Sequence, residues 1–325
     1  MAQTWLWVAF NIFVLGMLAI DLGVFNRKAH IISVKEAARW TAVVVAAALI
    51  FNAGIFWLEG PTRGLEFTTG YLIELALSVD NIFVFILIFA YFKVPPIFQH
   101  RVLFWGIFGA LLMRGAMIAG GAFLIERFHW IIYIFGAFLV FTGIRMAMQD
   151  EMDIEPESNP VLKLVRRFFP ISPNYDGQKF FTEMTIGGVT RKAVTPLFVV
   201  LLLVETTDLI FAVDSIPAVF AVTTDPFLVY TSNVFAILGL RSMYFLLAGV
   251  IDKFHYLQLG LSAVLVFIGV KMLVTFFDIH VPIAVSLGVV GGVLAISVVA
   301  SLMFPKKLEE KSPVDPEDEN VLPGS

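Results

Sequence analysis

Nine runs of about 20 apolar residues succeed one another along the chain, at 4–25, 40–58, 68–92, 102–124, 129–148, 194–222, 231–250, 256–277 and 281–304. Each is roughly the length a helix needs to cross a ~30 Å hydrocarbon core. The sequence therefore predicts an all-α membrane protein with nine transmembrane helices. Composition points the same way. Hydrophobic residues make up 59% of the 325 positions and charged residues 15%, too few to clothe a soluble domain of this length. The net charge of −4 gives no reason to expect a nucleic-acid partner. The chain has no cysteine, which excludes disulfides, thiolate metal sites and cysteine nucleophiles. The first run follows no positive segment and precedes no small-residue cleavage site, so it is expected to stay as a span.

Lysine and arginine set the expected orientation. Sixteen of them fall in alternate connections: Arg27, Lys28, Lys35 and Arg39; Lys93 and Arg101; Lys163, Arg166, Arg167, Lys179, Arg191 and Lys192; Lys253; and Lys306, Lys307 and Lys311. The opposite connections hold Arg63 and Arg127. The N-terminus is therefore expected outside, and the C-terminus in the cytoplasm. The one sizeable soluble loop, 149–192, opens on Asp150, Glu151, Asp153, Glu155 and Glu157 and continues into a short basic helix near 160–169. Gly187-Gly188 then divides a hairpin, 179–186 against 189–195. The charged, proline-containing tail 305–325 is expected to be disordered.

The chain also resembles itself. Glu74-Leu-Ala-Leu-Ser-Val-Asp80-Asn81 matches Asp208-Leu-Ile-Phe-Ala-Val-Asp214-Ser215. Glu126-Arg-Phe-His-Trp130 matches Asp252-Lys-Phe-His-Tyr256, and Phe141-Thr-Gly-Ile-Arg-Met146 matches Phe267-Ile-Gly-Val-Lys-Met272, both shifted by the same 126 positions. Arg114 has its counterpart in Arg241. Each unit holds three spans, an odd number, so the second copy enters the membrane in the opposite sense. The expected organisation is a two-helix segment (1–62), repeat A (66–148), a cytoplasmic loop (149–192), repeat B (193–277), a ninth span (278–304) and the tail. Two inverted three-helix repeats of this kind are typical of secondary transporters, with the substrate site near the midplane between them.

Among the charged residues inside spans, seven stand out: Glu74, Asp80, Arg114, Glu205, Asp208, Asp214 and Arg241. Each costs at least ~2.5–3.5 kcal/mol at a helix centre unless it is paired or bound. Two arginine–carboxylate pairs that fasten helices together, with the other acids protonated, form the bland explanation. The functional one is a cation site with Glu205, Arg114 and Arg241 balancing charge beside it. Glu74, Ser78 and Asn81 share a helical face, whereas Asp80 lies about 100° from Asn81. Unwinding would aim them at one point, and Pro217 removes the hydrogen bond that would engage the Val213 carbonyl. The donors are all oxygen, which suits Mg²⁺, Mn²⁺ or Ca²⁺ better than Zn²⁺ or Cu⁺. His129 and His255, at matching span entrances, are read as interfacial residues rather than ligands.

The span-six stretch, Val204-Glu205-Thr-Thr-Asp208-Leu-Ile-Phe-Ala-Val-Asp214-Ser215-Ile-Pro217-Ala218, resembles the TerC family of membrane proteins, and most closely its Alx-type members. Glu-x5-Asp-Asn at Glu74–Asn81 and the stretch around Arg241 add to the resemblance, which covers roughly residues 15–300. It implies a multi-span inner-membrane protein linked to manganese export, metal homeostasis and tellurium resistance. It also implies that Glu74, Asp80, Asp208 and Asp214 are needed for activity, with Asn81 and Ser215 beside them. The repeat reaches the same residues without the family; only manganese leans on it.

The expected metal site is therefore Glu74, Asp80, Asn81, Asp208, Asp214 and Ser215 around one divalent cation at the midplane. Four carboxylates held that close cannot all stay ionised without a cation, so metal release is expected to take up protons. No tightly bound cofactor is expected. The expected partners are the divalent ion and the lipid bilayer. A membrane enzyme is the weaker reading, since the Gly-x-Gly-Asp motif of intramembrane aspartyl proteases does not occur. The remaining alternative is a non-transporting scaffold or redox modulator that acts through the 149–192 loop.

Overall fold

A computed structural model of the protein describes residues 2–20, 32–148, 160–186, 189–248 and 256–304. Arg27, Lys28, Lys253, Lys306, Lys307 and Lys311 lie outside the described residues. So do the acidic stretch 150–157, Gly187-Gly188, the Asp252–His255 part of the repeat motif and the tail 305–325.

The chain folds into α1 (Ala2–Ile20), α2 (Val34–Leu58), α3 (Pro61–Tyr91), α4 (Pro96–Arg127), α5 (Ile131–Met148), α6 (Pro160–Phe168), the hairpin β1 (Phe181–Ile186) and β2 (Val189–Val194), α7 (Pro196–Phe220), α8 (Pro226–Leu247), α9 (Leu257–Val274) and α10 (Ile283–Met303). Seven of these helices, α2, α3, α4, α5, α7, α9 and α10, are long and apolar enough to cross a membrane. The apolar run of α1, Thr4–Ile20, is shorter. α8 carries Asn233 and Arg241 and packs among α2, α3 and α4. Every residue of it from Thr231 to Ser242 is buried. A helix enclosed by other helices needs no lipid-compatible face, so its polar residues are tolerated where an outer helix could not carry them.

Local signals explain the helix ends. Ser33 caps α2, its hydroxyl accepting from the Glu36 amide at 3.3 Å. Asp225 caps α8 by accepting from the Phe227 amide at 2.8 Å. Pro61, Pro96, Pro196 and Pro226 open their helices, where a missing N–H leaves nothing unsatisfied. α3 starts after Gly60, whose φ of 91° is unfavourable for residues with a Cβ. Arg63 on α3 pairs with Asp225 at 2.7 Å, and Glu66 accepts from Thr223 at 2.8 Å, which ties α3 to the α7–α8 connection.

The sequence suggested unwinding near Asp80 and Pro217; the structure corrects this. α3 and α7 are continuous helices. Pro217 sits in the last turn of α7, where losing one hydrogen bond interrupts little of the ladder.

The most extensive helix pairing joins α5 to α9. Their backbones nearly touch. A Cβ on Gly143 would lie 2.8 Å from the Ser262 carbonyl oxygen, and one on Gly269 would lie 2.6 Å from that of Gly136. The partner positions fall along α9 as they rise along α5, so the two helices cross antiparallel. The seam also mirrors itself. Gly143 and Gly269 are matching positions of the repeated Phe-x-Gly-x-x-Met motif, and each is pressed against the other helix.

Between α5 and α7 the loop carries the expected basic helix, α6, and the expected hairpin, with Phe181 opposite Val194 and Ile186 opposite Val189. The Tyr175 hydroxyl donates to the Phe92 carbonyl at 2.8 Å, and the Arg101 guanidinium lies 5.0 Å from the Phe180 ring centroid. These contacts fix the loop against the α3–α4 turn. Leu162 of α6 and Val194 join the apolar cluster of Phe85, Phe89, Leu103 and Leu197.

Candidate functional site

Small residues let the central helices approach. Gly70 on α3 faces Val219 and Ser232, and Gly106 on α4 faces Val204. Gly109 lies against the Glu205 carboxylate of α7. Just beyond these contacts, Arg114 projects from α4 into the bundle with 3% of its surface exposed.

Its guanidinium gathers groups from three other helices. Nη1 bonds Glu74 Oε2 of α3 at 2.7 Å, and Asp208 of α7 is held side-on, Nε to Oδ2 at 3.2 Å and Nη2 to Oδ1 at 3.0 Å. Nη1 also donates to Ser215 Oγ at 3.3 Å and to Asn233 Oδ1 of α8 at 3.1 Å. Two amides complete the set: Asn233 Nδ2 donates to Glu74 Oε1 at 2.6 Å, and Asn81 Nδ2 to Asp208 Oδ1 at 3.2 Å. Glu74 and Asp208 are 0% and 2% exposed. Such a cluster is sustainable away from water only because its members are reciprocally bonded. Two carboxylates against one guanidinium leave a formal charge of −1. The two acids occupy matching positions of the repeated sequence motif, and both meet on one cation.

The structure does not bring all six expected ligands to one point. Glu74, Asp208 and Ser215 bond Arg114, and Asn81 joins them through Asp208. Asp214 instead accepts a 3.3 Å hydrogen bond from Thr142 on α5. Asp80 Oδ2 is buried without a hydrogen-bond partner among the described residues, as are Asn81 Oδ1 and Glu205 Oε2. Among the described residues no group of three or more His, Asp or Glu is disposed to hold a metal ion. The expected convergence of four carboxylates on one cation is thus absent from this arrangement. The reason is the regular helix. Adjacent residues point about 100° apart, so where Asn81 faces Asp208 and Ser215 faces Arg114, Asp80 and Asp214 turn aside. Arg241 is buried in α8 at 4% exposure. His129 is exposed in the turn between α4 and α5, and His255 is outside the described residues.

Two participants, Asn233 and Thr142, escape a reading of charges alone. Asn233 is a lone amide in an apolar run, and Thr142 adjoins the repeat glycine Gly143; both are signals, though neutral ones.

A helical bundle with several membrane-length apolar helices and a charged cluster closed off from lipid defines a polytopic integral membrane protein. The chain belongs to the integral membrane protein TerC family, whose model matches residues 59–309. It is 55% identical over 298 residues to the membrane protein STKORF319 of Myxococcus xanthus, covering 92% of each chain. It is 50% identical over 301 residues to Alx of Escherichia coli (strain K12), covering 90% of this chain and 92% of that one. Alx of Salmonella typhi is 47% identical over 315 residues, with 94% and 96% covered. Alx is provisionally described as a membrane-bound redox modulator. No solved structure matches the chain.

Proposed function

We propose that the protein is a secondary transporter for a divalent metal cation, manganese before magnesium or calcium, exporting it across the inner membrane in exchange for protons. One observation carries the reading: Glu74 and Asp208, equivalent residues of two related halves, share the buried guanidinium of Arg114 and leave it outnumbered by negative charge. Such a centre is poised to exchange one cation for another, since oxygen donors with carboxylate charge suit hard divalent ions. In this reading Arg114 holds Glu74 and Asp208 while the site is empty. Asp80 and Asp214 flank the centre as carboxylates available to the incoming ion. The ion's release returns the acids to Arg114 and to protons. The mirrored α5–α9 seam supports the companion proposal of nine spans in two inverted three-helix units, with the N-terminus outside and the 149–192 loop in the cytoplasm.

The name given to Alx favours a second reading, a redox modulator acting without transport. The chain has no cysteine, so thiol chemistry of its own is ruled out, and a redox effect would pass through metal levels or through a partner. Purified protein in vesicles separates the two. Protein-dependent Mn²⁺ flux, accompanied by opposite proton movement and lost in Glu74→Gln and Asp208→Asn, supports transport. Absence of flux for Mn²⁺, Mg²⁺ and Ca²⁺ alike overturns it. Orientation is tested by cysteines introduced at Glu183 and Arg63, where an impermeant thiol reagent applied outside whole cells should modify only the second.

A further inference from the structure

Residues 162–168 of α6 divide into three sectors roughly 120° apart on the helical wheel. Leu162 and Val165 face the protein and pack into the cluster containing Val194, Leu197 and Val200. Lys163, Arg166 and Arg167 form a second sector and are all exposed. Leu164 and Phe168, four residues apart and therefore stacked along one side, form the third, at 55% and 67% exposure. Phe169 follows at 48%. An apolar side chain pair beside a basic arc, on a helix whose third side is already docked, is unsuited to water.

We propose that α6 lies in the headgroup layer of the surrounding bilayer, with Leu164 and Phe168 entering the acyl boundary and Lys163, Arg166 and Arg167 binding acidic phospholipid headgroups. Depth is the first argument. α6 packs on α7, in the cluster that holds Val194 and Leu197, where that membrane-length helix begins. The helix therefore sits at the level where α7 emerges from the hydrocarbon. Charge is the second. Three cations and no acid occur between Pro160 and Phe168, the pattern by which surface helices select anionic leaflets. A nucleic acid or an acidic protein would engage the basic arc alone and leave Leu164 and Phe168 in water; a bilayer engages both. The proposal is independent of what the protein transports.

The native chain has no cysteine, so full-length Phe168→Cys takes a single environment-sensitive fluorophore. It is reconstituted into phosphatidylcholine vesicles with and without phosphatidylglycerol, then challenged with brominated acyl chains and with aqueous iodide. The expected result is several-fold stronger quenching by brominated lipid, and weaker quenching by iodide, when phosphatidylglycerol is present. Adding Lys163→Gln, Arg166→Gln and Arg167→Gln should erase that difference and reduce the phosphatidylglycerol that co-purifies, read by mass spectrometry. A probe that stays open to iodide in both vesicles overturns the proposal. Equal quenching in both overturns the headgroup selectivity. Shielding that appears only when RNA or soluble protein is added overturns the choice of a lipid partner.

Discussion

Arg114 holds Asp208 side-on, through two nearly parallel N–H donors at 3.2 and 3.0 Å. A planar guanidinium makes this contact while its remaining nitrogen reaches Glu74; an ammonium cannot. Arg114→Lys should therefore fail to restore what Arg114→Ala removes. Both should lower stability by about 3–5 kcal/mol, the usual consequence of stranding buried carboxylates. Thermal unfolding of the purified proteins checks this, and a lysine variant as stable as the native chain would show that the fork is dispensable.

Asp214 has a hydrogen bond from Thr142, and the residue matching Thr142 in the second copy of the sequence motif is Ile268. If Asp214 receives the ion, Thr142→Val should weaken metal affinity by ~10-fold while leaving the fold intact, because it removes an orienting partner. Asp80→Asn and Asp214→Asn should each abolish transport without loss of membrane insertion. Flux and Mn²⁺ binding by calorimetry measure all three, and unchanged affinity in Thr142→Val would separate Asp214 from the ion's path.

Gly269 meets the backbone of α5 at Gly136 and Val140. Packing this close admits no side chain without pushing the helices apart. Gly269→Val should cost at least ~1–3 kcal/mol, whereas Gly288→Val, with nothing near its added Cβ, should cost much less. Comparison of the two melting temperatures tests the seam.

The loop carries its own pH signature. Asp176 accepts from Thr182 at 2.9 Å and from Lys179 at 3.1 Å. These bonds, Thr182 first, hold its carboxyl below the usual range. A depressed value in the folded state means that the carboxylate stabilises the loop at pH above the unfolded value of about 3.9. That contribution fades as pH falls through the lower folded value. Amide exchange in β1 should accelerate over that acidic window in the native chain, and Asp176→Asn should remove the part of the pH dependence due to this group.

Hydrophobic run length placed the helices, and the basic helix and hairpin of the loop followed from their residue patterns. The repeat singles out Glu74, Asp208 and Arg114 from the sequence alone. Run length and charge are properties a chain carries residue by residue, and the cost of charge in lipid holds for any arrangement of the helices. Which charges meet is different, because it depends on helix rotation and on how closely glycines let backbones approach. Asp80 and Asn81 are neighbours in sequence, yet only Asn81 reaches Asp208, since the helix turns about 100° between them. Asn233 and Thr142 are neutral and cost less in lipid than a charge does, so only the packing of α8 against α3 and of α5 against α7 decided that they bond the acids. The same packing enclosed α8 and left α6 with an exposed apolar side, because burial is a relation between helices and no single segment encodes it.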